Sequence, residues 1–261
     1  MTRPQNVIVT GSTSGIGLGT AHSFARAGAR VVLNGRRLND AAEAVLSEFR
    51  ERYGHDNVIF AACDVADPGQ VEEMVSGTVD AFGSVDVLVQ NAGIQHTSSV
   101  HEFPLDKWDQ IIAVDLSSVF YGIRAALPRM LAQDFGRIIN VASVHGLVAS
   151  KEKAAYVAAK HGVVGLTKVT ALETATVNIT CNAICPGWVL TPLVEKQIHA
   201  RAQANGTSFD EEKRKLVAEK QPSQEFATPE QIGALAVFLA SEAAAQITGQ
   251  ALPVDGGWTA Q

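Results

Sequence analysis

Seven short runs rich in Val, Ile and Ala recur along the chain: NVIVT, ARVVLN, NVIFAA, VDVLVQ, GRIINVA, NITCNAI and QALPVD. Segments with helical spacing of apolar residues separate them. Runs that are apolar at nearly every position are buried on both faces, and strands linked through helices pair in parallel. The expectation is therefore an α/β fold, a doubly wound, Rossmann-type seven-stranded parallel sheet with helices on both faces. Helices are expected from near Gly15, Leu38, Pro68, Leu105, Lys153 and Pro229, the last opened by Thr228 as cap and Glu230 in its first turn. A length of 261 residues suits one such domain spanning residues 1–261. The stretch 188–222 is too long for a simple connection, and WVLTPLVEKQI within it has an apolar face with something to cover. A mobile helical substrate lid is expected there.

Composition narrows the partners. Charged residues are 18% of the chain, the net charge is -6 and no basic run occurs, so neither nucleic acid nor an anionic membrane surface is expected to bind. The amino terminus MTRPQNVIVTG leads straight into a strand-like run without a signal-peptide core, and no run of 18 consecutive apolar residues is present. A cytoplasmic protein is expected. Cys63, Cys181 and Cys185 are odd in number and form no CxxC pair, which reads as buried thiols, and no HxH or HExxH grouping marks a metal. No metal site is expected.

The chemistry begins at TGSTSGIG, where Gly11, Gly15 and Gly17 stand between the first strand and the first helix. Glycines there permit a sharp turn and let backbone N–H groups at a helix start approach a pyrophosphate. Further along, Tyr156 and Lys160 are four residues apart and share one helix face, while Ser143 closes the fifth strand at the sheet edge where ligands of doubly wound folds bind. An ammonium near a phenol favours the phenolate, so Lys160 is expected to lower the pKa of Tyr156 and let it exchange a proton with an alcohol near neutral pH.

TGxxxGxG, NAG at Asn91 to Gly93, YxxxK at Tyr156 to Lys160 and PG at Pro186 to Gly187 together resemble the short-chain dehydrogenase/reductase family over essentially the whole chain. The resemblance implies a nicotinamide cofactor held by Gly11, Thr13, Ser14, Gly15, Ile16, Gly17, Arg36, Asp64, Val65, Asn91, Ala92, Gly93, Tyr156, Lys160, Pro186, Gly187, Val189 and Thr191. It makes Tyr156 the general acid/base, Ser143 the group that orients the substrate and Lys160 the ribose ligand. Two positions depart from the family pattern: Gln90 stands where a second asparagine is common, and Asp115 where an asparagine supports a proton relay. An ionised carboxylate cannot donate as the amide does. After the second strand, VVLNGRR has no acidic residue for a ribose 2′-hydroxyl, and Arg36 or Arg37 suits a 2′-phosphate, so NAD is expected with NADP open.

Gln95, His96, His145, Lys153 and Gln197 are expected to crowd one sheet edge, a donor set that suits a small carboxylate. NAGIQH, HGLVAS, AAYVAAKHGVVGLTK and CNAICPGWVLTPLVEKQI are similar to the bacterial D-3-hydroxybutyrate dehydrogenase branch of that family. That resemblance implies that Gln95, His145, Lys153 and Gln197 bind the carboxylate of a 3-hydroxy acid, with Trp188 and Trp258 beside its methyl group. It also implies a homotetramer. His161 is expected to face away from Lys160. Two alternatives stand beside this reading: an NADP-dependent 3-oxoacyl reductase, and a cofactor-sensing protein without turnover.

Overall fold

The computed structural model describes residues 5–261; residues 1–4 lie outside the described residues. Seven strands form one parallel sheet, ordered β3-β2-β1-β4-β5-β6-β7. They are β1 (Asn6–Val9), β2 (Arg30–Gly35), β3 (Val58–Ala62), β4 (Val87–Gln90), β5 (Gly136–Val141), β6 (Ile179–Pro186) and β7 (Ala251–Val254). Each coincides within two residues with an apolar run of the sequence. The order reverses between β1 and β4, where Val9 pairs with Val89, so the chain leaves these two neighbours in opposite directions and opens a crevice at their carboxyl ends.

Helices cover both faces because the strands are apolar on both. α1 (Gly15–Arg26), α2 (Asp40–Tyr53) and α9 (Pro229–Ala240) bury Phe24, Phe49, Ile232 and Leu239 on one side. On the other, α3 (Pro68–Phe82), α5 (Ser118–Ala132) and α6 (Ala154–Glu173) bury Val75, Ile123, Met130 and Val163. The expected start of α9 is a full capping box: Thr228 Oγ1 accepts from Gln231 N and Gln231 Oε1 accepts from Thr228 N.

The helix expected from Leu105 is longer and less regular than its spacing indicates. α4 (Leu105–Ile112) runs through a π turn at Ala113–Ser117 into α5. This continuous run, Leu105–Ala132, is long and apolar enough to cross a membrane by length and mean hydropathy, although charged residues break it up in the sequence. Here it buries Val119, Ile123, Ala126 and Met130 in the core. The extra residue of the π turn rotates Asp115 inward, where it is fully buried.

Residues 188–222 fold into α7 (Pro192–Asn205) and α8 (Phe209–Ala218). The apolar face of the first meets the second: Val194, Ile198 and Leu216 pack with Trp188, Leu190, Phe209 and Phe226. Glu212, buried on α8, accepts from Asn205 and Thr207 and pairs with Arg201 at 3.3 Å, joining the two helices. The buried Gln221 clasps the base of this insertion. Its Oε1 accepts from Trp188 N where the insertion begins, and its Nε2 donates to Glu225 O (2.6 Å) where the insertion ends.

Candidate active site

At the end of β1 the chain turns through Gly11 and Gly15, both at positive φ (62° and 55°), into the first turn of α1. Ser14 occupies the helix N-cap without capping it through its side chain, and the first turn has no acidic residue. The N–H groups there are therefore presented outward, as a bound diphosphate requires. The turn is braced from both sides. Thr10 Oγ1 accepts from Asn91 N (2.9 Å) and Ala92 N (3.1 Å), and Asn91 Nδ2 donates to Thr10 O and Gly11 O. From β2, Asn34 Oδ1 accepts from Gly11 N while its Nδ2 donates to Ala61 O and Cys63 O. Asn34 escapes motif reading because a single asparagine in a strand carries no spacing signal. Ser12, fully buried, accepts from Asn34 N.

Other residues expected to hold the cofactor follow the carboxyl ends of β2, β3 and β6. Thr191 caps α7 and lies beside Gly15; Val189 forms a bridge with Ala227. Asp64 is two residues beyond β3, its Oδ1 accepting from Ala66 N, with Val65 buried behind it. Arg36 and Arg37 are exposed just past β2. The residues present thus fit a dinucleotide, with an open helix start for phosphate and no acidic side chain at the end of β2. Gln90, in the place of an asparagine, is buried and donates to Val119 O and Asn140 Oδ1, which makes it part of the core.

Tyr156 and Lys160 share one face of α6. Lys160 is buried, its Nζ 5.5 Å from the centre of the Tyr156 ring, 3.1 Å from Val141 O and 3.6 Å from Asp115 Oδ2. Asp115 Oδ1 accepts from Ile94 N at 2.8 Å, while Oδ2 has no hydrogen-bond partner; at 3.6 Å it faces Lys160 as an ion pair. Burial pushes the Asp115 carboxyl above the usual carboxylate range against the pull of Lys160. Ser143 begins a tight turn after β5; its Oγ accepts from His145 N (3.1 Å), and its hydroxyl is near enough to the phenol to pull the phenol's pKa down. This turn sits directly on α6 because Gly146 faces the Lys160 carbonyl, where a Cβ would come within 2.8 Å.

One electrostatic expectation is corrected. The Tyr156 phenol is raised above its ordinary value: burial dominates, Lys160 and the Ser143 hydroxyl pull it down, and the Asp115 carboxylate pushes it up again. The sequence identifies the cation near the phenol, but neither the extent of burial nor the carboxylate behind the cation.

A cavity of about 140 Å³ opens over this group. Ser143 and Tyr156 line it together with all six side chains expected to meet a substrate: Gln95, His145, Lys153, Trp188, Gln197 and Trp258. Lys153 Nζ lies 3.5 Å from Gln95 Oε1 and 5.5 Å from the Trp188 ring centre. It forms no ion pair among the described residues, and burial lowers its pKa. Trp258 stands 5.5 Å from His145 and 6.3 Å from Trp188, ring centre to ring centre.

His145, expected to help bind the carboxylate, lines the cavity and also meets protein partners at its ring nitrogens. Its Nδ1 faces Ser143 Oγ (3.4 Å) and its Nε2 faces Ser150 Oγ (2.9 Å), so both ring nitrogens are engaged within the protein. Burial, reinforced by Lys153, lowers its pKa to about 4 and keeps the ring neutral. His96 is not in the cavity wall and packs edge-on against Phe103. His161 is exposed, with Nδ1 on Val157 O. Cys63, Cys181 and Cys185 are free and buried. Among the described residues, no group of three or more His, Cys, Asp or Glu side chains has the placement to hold a metal ion.

Comparison with known proteins agrees with this geometry over the full length. A family model described as Enoyl-(Acyl carrier protein) reductase matches residues 11–259. The chain is 53% identical over 261 residues to the D-beta-hydroxybutyrate dehydrogenase of Cupriavidus necator, covering 100% of both chains. It is 48% identical over 257 residues to that of Rhizobium meliloti, covering 98% of this chain and 99% of the relative. A solved variant of actinorhodin polyketide ketoreductase with NADPH superposes with a TM-score of 0.91 at 34% identity, covering 99% of each chain. With a doubly wound sheet, an open glycine turn and Ser143, Tyr156 and Lys160 gathered at the crevice, the chain belongs to the short-chain dehydrogenase/reductase family of oxidoreductases.

Proposed function

We propose that the protein interconverts D-3-hydroxybutyrate and acetoacetate, with NAD as the hydride carrier. The observation that carries this reading is Lys153: an ammonium without an ion-pair partner in a small cavity, between an amide and an indole, beside Tyr156. A half-buried cation left unpaired carries a desolvation cost, and a substrate carboxylate relieves that cost. The cavity is comparable with the roughly 150 Å³ that admits a benzene-sized molecule, which suits a four-carbon acid better than a long acyl chain.

In this reading Lys153, Gln95 and Gln197 hold the carboxylate, while Trp188 and Trp258 border the methyl group. Ser143 fixes the reacting oxygen and Tyr156 takes the hydroxyl proton as the alcohol is oxidised. The cofactor supplies hydride chemistry; Gly11, Gly15, Gly17, Asn91 and the start of α1 hold it, with Lys160 at its ribose. The chain works as one domain, residues 188–222 closing over the crevice, and assembles as a cytoplasmic homotetramer.

Exposed Arg36 and Arg37 favour a second reading, an NADP-linked 3-oxoacyl reductase. Turnover of free acetoacetate with NADH, against a 3-oxoacyl thioester with NADPH, decides between them. Binding of either cofactor without any turnover would instead identify a sensing protein. Replacing Lys153 by Met should raise KM for D-3-hydroxybutyrate about 10- to 100-fold, the equivalent of roughly 1.5–3 kcal/mol for a hydrogen bond to a charged group, with kcat nearly kept. An unchanged KM would show that Lys153 does not meet the carboxylate.

A further inference from the structure

Two indoles border the methyl end of the substrate in the reading above, and they reach the cavity on different supports. Trp188 enters at the root of the insertion. Trp258 comes from the sheet, on a single 3-10 turn (Trp258–Ala260) just past β7, and the backbone on both sides of it is held by one carboxylate. Asp255 is buried; its Oδ1 accepts from Gly257 N (3.0 Å), and its Oδ2 accepts from Thr259 N (2.8 Å) and Thr259 Oγ1 (2.6 Å). A carboxylate only accepts, so each of these bonds has one possible direction. The main chain adds a further bond, from Trp258 N to Asp255 O (3.1 Å).

Gly256 and Gly257, between Asp255 and the indole, stand at positive φ (58° and 90°), where a glycine backbone swings freely unless it is tied. The turn is also fastened to its surroundings. Val254 O accepts from Gly187 N and Gly256 O from Ser223 N, both at 3.0 Å, and a Cβ on Gly187 would come within 2.9 Å of Asp255 Cα. Neither Asp255 nor Thr259 lines the cavity, whereas Trp258 does, its ring edge-on to His145 and beside Trp188. We propose that Asp255 and Thr259 are positioning residues that hold Trp258 as an unyielding end wall, and that this wall sets the upper chain length of the 3-hydroxy acid. In a cavity of about 140 Å³, each further methylene must displace an indole whose backbone cannot retreat. One methylene in an apolar pocket is worth roughly 10- to 200-fold in kcat/KM.

The selectivity rests on the dehydrogenase reading above; the hold on Trp258 does not. The first measurement is therefore the ¹⁹F spectrum of the full-length protein carrying 5-fluorotryptophan, with the Trp258 line assigned through Trp258→Phe. Asp255→Asn keeps the shape of the side chain but turns an N–H₂ group toward Gly257 N or Thr259, and should shift and broaden that line. Thr259→Val should do so less, and Thr259→Ser, which keeps the hydroxyl, should restore the wild-type line. The second measurement is kcat/KM for D-3-hydroxybutyrate against D-3-hydroxyhexanoate. The wild type should prefer the shorter acid by at least about 100-fold, and Asp255→Asn should narrow that ratio about tenfold, chiefly through KM for the longer acid. Trp258→Ala should narrow it at least as far, and adding Asp255→Asn to it should change the ratio no further, because both act through one wall. An unmoved line in Asp255→Asn, a moved line with the wild-type ratio, or a further tenfold in the double variant overturns the proposal. Should Asp255→Asn fail to fold, a wild-type line and ratio in Thr259→Val overturn it. A wild type without turnover of D-3-hydroxybutyrate overturns the dehydrogenase reading, and the spectrum still decides whether Asp255 holds Trp258.

Discussion

Replacing Asp115 by Asn removes a charge from behind the Tyr156–Lys160 pair while keeping the shape of the side chain. Lys160 Nζ is 3.6 Å from the carboxylate and 5.5 Å from the phenol ring centre, which together place the carboxylate no more than about 9 Å from that centre. Over about 9 Å at an effective dielectric constant of about 20, a unit charge acts on a phenolate with about 1.8 kcal/mol, or about 1.3 pH units. The carboxylate raises the phenol, so its removal lets the phenol come down. In the oxidation direction the phenolate accepts the proton. The acid limb of kcat/KM for D-3-hydroxybutyrate should therefore move about one unit to lower pH in Asp115→Asn, with a maximum equal to or above that of the wild type. A steady-state pH profile carried above about pH 10, because the wild-type phenol lies above its ordinary value, with cofactor saturating, reads this directly. An unmoved limb or a displacement to higher pH would refute this coupling, and a large loss of kcat would show that the ionised carboxylate is itself required.

The remaining predictions concern folding. His145 is buried and neutral with a pKa near 4, against about 6.5 unfolded, so its contribution is complete above pH 6.5 and lost as pH falls toward 4. Between pH 7.5 and 4.5 the wild type should lose about 2.5 kcal/mol more than His145→Gln in urea unfolding; parallel losses would mean that the ring is not held neutral. Asn34→Ala removes three hydrogen bonds, one buried and two part-buried, and strands the Gly11 N–H, a cost of about 3 kcal/mol by denaturant unfolding, and should weaken NAD binding measured by fluorescence titration. Stability and cofactor affinity both unchanged would remove Asn34 from the turn.

Which parts of this molecule were legible beforehand follows from how local their causes are. The strands were, because Val and Ile on both faces of a run can be satisfied only between two layers. Tyr156, Lys160 and the glycine turn were, because spacing alone puts them on one face or at one helix start. Asp115 was visible as a departure, but its consequence was not: the π turn that drives it inward depends on α4 and α5 joining across Ala113–Ser117, and the rise in the phenol depends on burial. Asn34 was missed for a related reason. It acts through partners far away in the sequence, and a lone Asn has no period to betray it. The segment 188–222 was recognised by length, whereas its two helices are held by contacts with each other that pattern reading of either one does not reveal.

The amide of Gln221 gives that segment an unusual independence. With Trp188 and Glu225 tied to one buried side chain, the chain leaves the sheet and returns to it through a single knot. The entropy of closing the excursion is met at that knot, and lengthening the excursion adds to it only logarithmically. The part of the wall contributed by Leu193, Val194 and Gln197 can therefore be exchanged or extended while β6, β7 and the proton-handling groups keep their register, so that a change of substrate need not disturb the reaction.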